Sequence, residues 1–306
     1  MKKILIFRWN NLTFDIEKEL EKRGHKVFAT HRIERKDIKN FDVMVGWNES
    51  ESSGGADYVR YAKLLGMKTV LLQHGRRGSS RIYPPFNEPY LSDKVCVWGQ
   101  RDYDKFLEIG TPKEKLVITG TPIFQYLKRF PHKGINIVFS PEHWDIDVDE
   151  NIIVAAQLRK LKGVNIISKL LKGEHNESYY DNPIVSSRLE EGHLQICAKV
   201  LSQADIIVGI SESTFELMAE ILDIPVVIMD TWIPKSCDKD ERYKKYKREY
   251  SNACKRTGIE KLNETIYQQL KHPEELRNQR IKVAREEAGI EIENPTKNIC
   301  DVIEQC

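Results

Sequence analysis

Short apolar runs alternate with amphipathic stretches along the first 120 residues. KILIF (3–7), KVFAT (26–30), DVMVGW (42–47), TVLLQ (69–73), KVCVWG (94–99) and KLVITG (115–120) are each bounded by charge, glycine or a polar clip. Between them, LTFDIEKELEKRG, ADYVRYAKLLG and DYDKFLEIG repeat apolar residues at helical spacing, and a glycine closes each. Continuous apolar strands separated by helices predict a parallel sheet covered on both faces. Right-handed crossovers then carry the carboxyl ends of all the strands to one edge.

The pattern restarts after RFPHKG (129–134), whose proline, glycine and charges read as a linker. NIVFSP (136–141) predicts a new first strand. It is followed by a helix over DENIIVAAQLRKLKG, a strand VNIISK (164–169), a helix HLQICAKVLSQ (193–203) and a strand DIIVGI (205–210). A helix STFELMAEILD and a strand IPVVIMD (224–230) complete the series. From 238 onward the spacing predicts mostly helix, with LNETIYQQLKHPEELRNQRIKVAREEAG as one amphipathic stretch and NICDVIEQC as a last short helix. The expected class is α/β: two tandem Rossmann-like, doubly wound domains facing across a cleft, with C-terminal helices. The boundaries read as 1–127, a linker 128–134, a second domain 135–290, and a helix 291–306 packing back on the first domain.

Length agrees, since 306 residues exceed one comfortable core. A formal charge of +2 supplies no global field for nucleic acid. The basic cluster KKYKREY (244–250) reads as a solvated helix face, and peripheral membrane contact through 235–256 has no further support. Six scattered cysteines without C-x-x-C spacing suit a reducing compartment and carry no zinc signature. The opening MKKILIFRWNN has too short an apolar core for a secretory leader, and no run reaches membrane-spanning length. A cytoplasmic protein is expected.

Candidate chemistry gathers where strands end, the edge at which open α/β sheets hold ligands. SEST (211–214) follows DIIVGI and opens into FELMAEIL. Ser213 or Thr214 is a natural N-cap there, and Glu216 is spaced to close a capping box. The same helix start, with Ser211, Ser213 and Thr214, offers N–H groups, hydroxyls and a positive dipole end to a phosphate. TVLLQHGRRGSS leaves Gln73, His74, Gly75 and Arg76 at another strand end. A histidine with an ordinary pKa of about 6.5 suits proton abstraction from a hydroxyl, and packing as a satisfied ring is its bland alternative. Gly75 would allow close backbone approach, and Arg76 would meet an anion. NIVFSPEHWD sets Ser140, Glu142 and His143 at the end of the second half's first strand, and Lys169 follows IIS. RWNN (8–11) offers Asn10 and Asn11 as an acceptor lining, with turn chemistry as the competing reading. DIDVDE (145–150) resembles a metal motif but lacks the glycine and closing glutamate of a calcium loop. No G-x-G-x-x-G, P-loop or nucleophile elbow is present.

The segment ADIIVGISESTFELMAEILDIPVVIMD (204–230) resembles the donor-binding strand–helix–strand unit of GT-B glycosyltransferases. KVCVWGQRDYDKFLEIGTPKEKLVITGTPIFQYL (94–127) resembles the end of their N-terminal domain. CDP-glycerol glycerophosphotransferases, capsule-polysaccharide transferases and non-hydrolysing UDP-GlcNAc 2-epimerases share this layout. The resemblance implies a metal-independent transferase moving a glycosyl or polyol-phosphate group from a nucleotide-sugar or CDP-polyol donor to a saccharide or lipid-linked acceptor, in cell-surface polysaccharide or glycoconjugate synthesis. No cofactor besides the activated donor is implied. His74 would be the base, since QHG recurs at this strand end in such transferases. Ser140, Glu142, His143, Lys169, Ser211, Ser213, Thr214 and Glu216 would hold the donor. Asn10, Asn11, Gln73, Gly75 and Arg76 would line the acceptor side. The chain departs from the pattern where relatives place a glutamate seven residues before the proline of the last strand. Met218 stands there, flanked by Glu216 and Glu220. Two other readings fit the same layout: a 2-epimerase, although those carry H-x-E-A-G where this chain has QHGRRG, and a non-catalytic nucleotide-sugar-binding protein.

Overall fold

The computed structural model describes residues 1–8, 13–47, 49, 55–75, 89–141, 148–173, 176–187, 192–210, 212–229 and 252–306. Strands β1 (Lys3–Phe7), β2 (Lys26–Thr30), β3 (Val43–Gly46), β4 (Lys68–Leu72), β5 (Lys94–Val97) and β6 (Leu116–Ile118) form a first sheet in the order β2-β1-β3-β4-β5-β6. Every pairing in it is parallel. Helices α1 (Phe14–Lys22), α2 (Arg35–Ile38), α3 (Gly55–Leu64) and α4 (Gln100–Glu108) are its connections.

The second sheet contains β7 (Asn136–Ser140), β8 (Asn165–Leu171), β9 (Pro183–Ser186), β10 (Ile206–Gly209), β11 (Val226–Met229) and β12 (Lys255–Thr257), in the order β12-β11-β10-β7-β8-β9. It is also wholly parallel. Counted from its own first strand this is the doubly wound order 3-2-1-4-5-6, whose direction reverses between β7 and β10. Helices α5 (Val148–Leu158), α6 (His193–Ser202), α7 (Thr214–Ile221) and α8 (Leu262–Lys271) flank it, and α9 (Arg277–Glu286) and α10 (Pro295–Gln305) follow. The central strands of both sheets are buried on both faces, which is why they read as unbroken apolar runs.

Three details differ from the sequence expectation. The amphipathic stretch after 262 is divided into two helices, because Pro273 cannot continue the hydrogen-bond ladder of α8. Edge strands β9 and β12 join the second sheet unforeseen: PIVS is too short to stand out, and polar KRT lies in the tail, where the spacing predicts mostly helix. Strand β8 runs on to Leu171, so Lys169 lies inside it, paired with Ile184, and not at its end.

The halves are joined by more than the covalent linker. Buried Ile123 and its neighbours Phe124 and Leu127 belong to one apolar cluster with Leu201 of α6 and with Ile4 and Trp98 of the first half. His132 bonds Asp205 at 2.9 Å, and Phe130 donates its N–H to the Ser202 carbonyl at 3.1 Å. Helix α10 lies against α1: buried Ile299, Cys300 and Ile303 pack inward, while Arg23 binds Asp301 at 2.7 Å and Glu304 at 2.8 Å. Between α9 and α10 the chain crosses the first sheet at the end of β5. A Cβ at Gly99 would collide with the Glu286 carbonyl oxygen, and one at Gly289 (φ 59°) with the Trp98 carbonyl oxygen. Arg101 pairs beside this crossing with buried Glu287.

The crossing therefore tolerates no side chain. Gly289→Ala is expected to destabilise the protein by about 3 kcal/mol or more, because positive φ and a backbone collision add. Gly24→Ala is the control: Gly24 has φ 87° but open space where its Cβ would be, so strain alone operates, about 1 kcal/mol. Urea unfolding of the two variants measures the difference.

Candidate active site

At the strand-order reversal of the second sheet, Ser140 at the end of β7 pairs with Gly209 at the end of β10. The chain then passes through SEST into α7. Ser213 is the N-cap: its Oγ accepts from the Phe215 N–H at 3.2 Å, and Glu216 Oε2 accepts from the Ser213 N–H at 2.9 Å, closing the capping box. Glu216 also accepts from the hydroxyls of Ser213 and Ser140. Its carboxylate thus ties β7 to the start of α7. It is 1% exposed, and burial pushes its pKa above the usual carboxylate range although these donors pull the other way. Ser213 and Thr214 are half-buried. Beneath them, buried Glu212 accepts from the Cys254 thiol at 2.9 Å.

The opposing edge comes from the first sheet. Beyond β4, half-buried His74 bonds through Nδ1 to the Trp47 carbonyl oxygen at 2.8 Å. A carbonyl only accepts, so Nδ1 carries the proton; in the neutral ring the lone pair then belongs to Nε2. The Trp47 ring stands edge-on to the imidazole, centroids 5.1 Å apart. Glu49 anchors the same turn by accepting from the N–H groups of Leu91 (2.6 Å) and Ser92 (3.1 Å), and burial raises its pKa. A Cβ on Gly75 would lie 3.6 Å from Thr214 Oγ1. The end of β4 therefore approaches the start of α7 across the cleft closely enough that an added methyl would reach it.

Of the residues expected from sequence, His74, Gly75, Ser140, Ser213, Thr214 and Glu216 come together at these facing edges. Two sit differently. Lys169 is 7% exposed within β8, with Nζ donating to the Leu170 carbonyl at 2.8 Å, which turns its ammonium into the sheet. Gln73, expected to line the acceptor side, is 2% exposed and bonds protein groups on every side of its amide, so it lies behind the edge and not on it. Asn10, Asn11, Arg76, Glu142, His143 and Ser211 lie outside the described residues. Of the DIDVDE segment, 145–147 also lie outside them, and the remainder enters α5. Among the described residues no group of three His, Cys, Asp or Glu side chains is gathered as a metal would require. No helix among them is long and apolar enough to cross a membrane. Sequence reasoning missed Asp102, buried behind Gln73. Its place in the first turn of α4 marks it only as a dipole partner.

The sequence matches no family model and no curated protein. Solved structures, by contrast, are similar along its whole length. UDP-GlcNAc 2-epimerase from Neisseria meningitidis, bound to UDP-GlcNAc, is similar with a TM-score of 0.55 at 13% identity, covering 100% of this chain and 99% of that one. MurG from Acinetobacter baumannii gives 0.56 at 13% identity, with 100% of each chain covered. The wall teichoic acid polymerase TagF gives 0.61 at 12% identity, over 99% of this chain and 89% of that one. At these identities the likeness is one of fold. The chain has the GT-B fold, two Rossmann-like domains with C-terminal helices, as the sequence resemblance implied.

The cap and its buried carboxyl respond differently to substitution. Ser213→Ala should destabilise by about 1 kcal/mol. Glu216 has a folded-state pKa above its unfolded value. Its contribution to stability is therefore full below the unfolded pKa and is lost as pH rises through the folded one. Glu216→Gln keeps a cap-competent amide without the charge. Its stability relative to wild type should rise from about pH 4 to about pH 8, read from urea unfolding across that range.

Proposed function

We propose that the protein is a transferase that moves a glycosyl or polyol-phosphate group from a nucleotide-activated donor to an acceptor hydroxyl. The observation that carries the reading is the meeting of His74–Gly75 at one sheet edge with Ser213–Thr214 at the other. An electrophile held at the start of α7 would stand beside an imidazole with a basic Nε2. Support for a nucleotide donor comes from the similar epimerase, which is a complex with UDP-GlcNAc.

In this reading the helix start carries the donor diphosphate. The α7 dipole and the hydroxyls of Ser213 and Thr214 stabilise charge that grows on the leaving group as the bond breaks, without needing to reorient at that moment. No metal is assigned to the site. His74 removes the proton of the acceptor hydroxyl at Nε2. The Trp47 carbonyl, bonded to Nδ1–H, stabilises the imidazolium that results. The acceptor enters from the first-domain side, and products of this kind belong to surface polysaccharide or glycoconjugate synthesis.

A second reading is favoured by the epimerase similarity itself. Incubation with UDP-GlcNAc separates the two: appearance of ManNAc or a 2-epimer identifies an epimerase, whereas release of UDP with GlcNAc passed unepimerised to water or acceptor identifies a transferase. Calorimetry against UDP, CDP, GDP and CMP identifies the donor nucleotide. With the matching donor, His74→Ala is expected to lower turnover about 10²- to 10⁴-fold and to leave nucleotide affinity unchanged. Tight nucleotide binding without turnover of any donor would instead identify a binding protein.

A further inference from the structure

A general base works only in a fixed orientation, so what holds half-buried His74 still bears on its role. The two residues on either side of it are pinned by one buried side chain. The Gln73 amide donates to the Gly75 carbonyl at 3.1 Å and to Asp102 Oδ2, and its Oε1 accepts from the Trp98 N–H at 2.9 Å. The Gln73 backbone donates to Cys96 O at 3.0 Å and accepts from the Trp98 indole at 2.9 Å. Both amide donors and the amide oxygen are thereby engaged. Asp102 is 1% exposed and lies in the first turn of α4, where the helix dipole favours its charge. A buried carboxylate and a buried amide are costly unless bonded, and each answers the other.

We infer that Gln73 and Asp102 are positioning residues for His74: the amide–carboxylate clamp fixes the backbone at 73–75 and so keeps the imidazole bonded to Trp47, with its lone pair on Nε2. The inference rests on the reading of His74 as the base for its catalytic consequence, but not for its geometry. The clamp also reaches the return crossing, because Trp98, which holds Gln73 from two sides, is the residue whose carbonyl seats Gly289.

A role limited to stitching β4 to α4 would lower the unfolding midpoint and leave the ring unchanged. Nitrogen-15 NMR of the His74 imidazole therefore decides, together with donor hydrolysis, in wild type, Gln73→Met, Asp102→Ala and Asp102→Asn. Wild type should show the Nδ1-protonated form. Gln73→Met and Asp102→Ala should populate the other tautomer and lose turnover by about 10²-fold, with KM for the donor unmoved. Asp102→Asn keeps an oxygen to accept from Gln73 and should behave as wild type. If Gln73→Met does not fold, Asp102→Ala carries the test, since it removes only the carboxylate that holds the Gln73 amide in position. A folded Asp102→Ala protein with the wild-type tautomer and wild-type turnover overturns the inference. If His74→Ala leaves turnover intact, the base reading fails alone, because the tautomer of His74 is read without catalysis.

Discussion

The facing of the two sheets depends on a place where backbone rests on backbone. Trp98 and Gly99, at the end of β5, touch the segment that carries the chain from α9 back to α10. Each parallel sheet by itself sends its strand ends to one edge, yet nothing in that rule makes two such edges look at each other. That task falls to the two chain crossings. The first is seated by His132 on Asp205 and by the apolar cluster around Ile123. The second has no room for a Cβ on either surface, and Arg101 with Glu287 pairs beside it. Helix α10 then anchors the returned chain on α1 through Arg23. A surface that excludes even a methyl group has one seating, not a range of them, and two facing edges need that.

Polar groups behind the two edges follow a common rule. Glu216, Glu49 and Gln73 are largely or wholly buried, and each joins a strand end to a neighbouring element: Glu216 joins β7 to α7, Glu49 the turn after β3 to the approach to β5, and Gln73 β4 to β5 and α4. Loops at the carboxyl ends of parallel strands have no ladder to hold their N–H and carbonyl groups. Buried side-chain acceptors supply that order, and they raise the local cost of any rearrangement. Outside them stand the smaller groups with exposure, namely Ser213, Thr214, His74 and Gly75. The division separates support from contact.

The central strands were legible because burial on both faces demands unbroken apolar runs, and 3–7, 69–73 and 205–210 show them plainly. Edge strands were not, since PIVS and KRT are covered less and need less apolar length. The capping role of Ser213 and Glu216 was readable from spacing alone, because a cap is a local interaction. Lys169 was misplaced for a register reason: two further residues of β8 moved it from the edge into the sheet. Gln73 was assigned to the edge because a side chain's direction at a strand end depends on partners distant in sequence. Those partners, Trp98 and Asp102, are 25 and 29 residues away. No local pattern encodes them.

The same distinction bears on how far fold can speak for chemistry. Structures similar to this chain at 12–13% identity include an epimerase and a polymerase, so the frame alone does not select a reaction. What the frame supplies to any such reaction is a helix start that stabilises negative charge, opposed by a strand end able to carry a proton-handling group. Selection must then lie in the group that occupies the strand end and in what orients it. In the proposed reading that group is His74, whose Nδ1 bonds a backbone carbonyl. A carbonyl partner fixes a ring without itself carrying a charge, and a neutral imidazole is in general a moderate base. Such a base fits removal of a hydroxyl proton as the hydroxyl attacks, where the proton leaves late and the nucleophile needs only assistance.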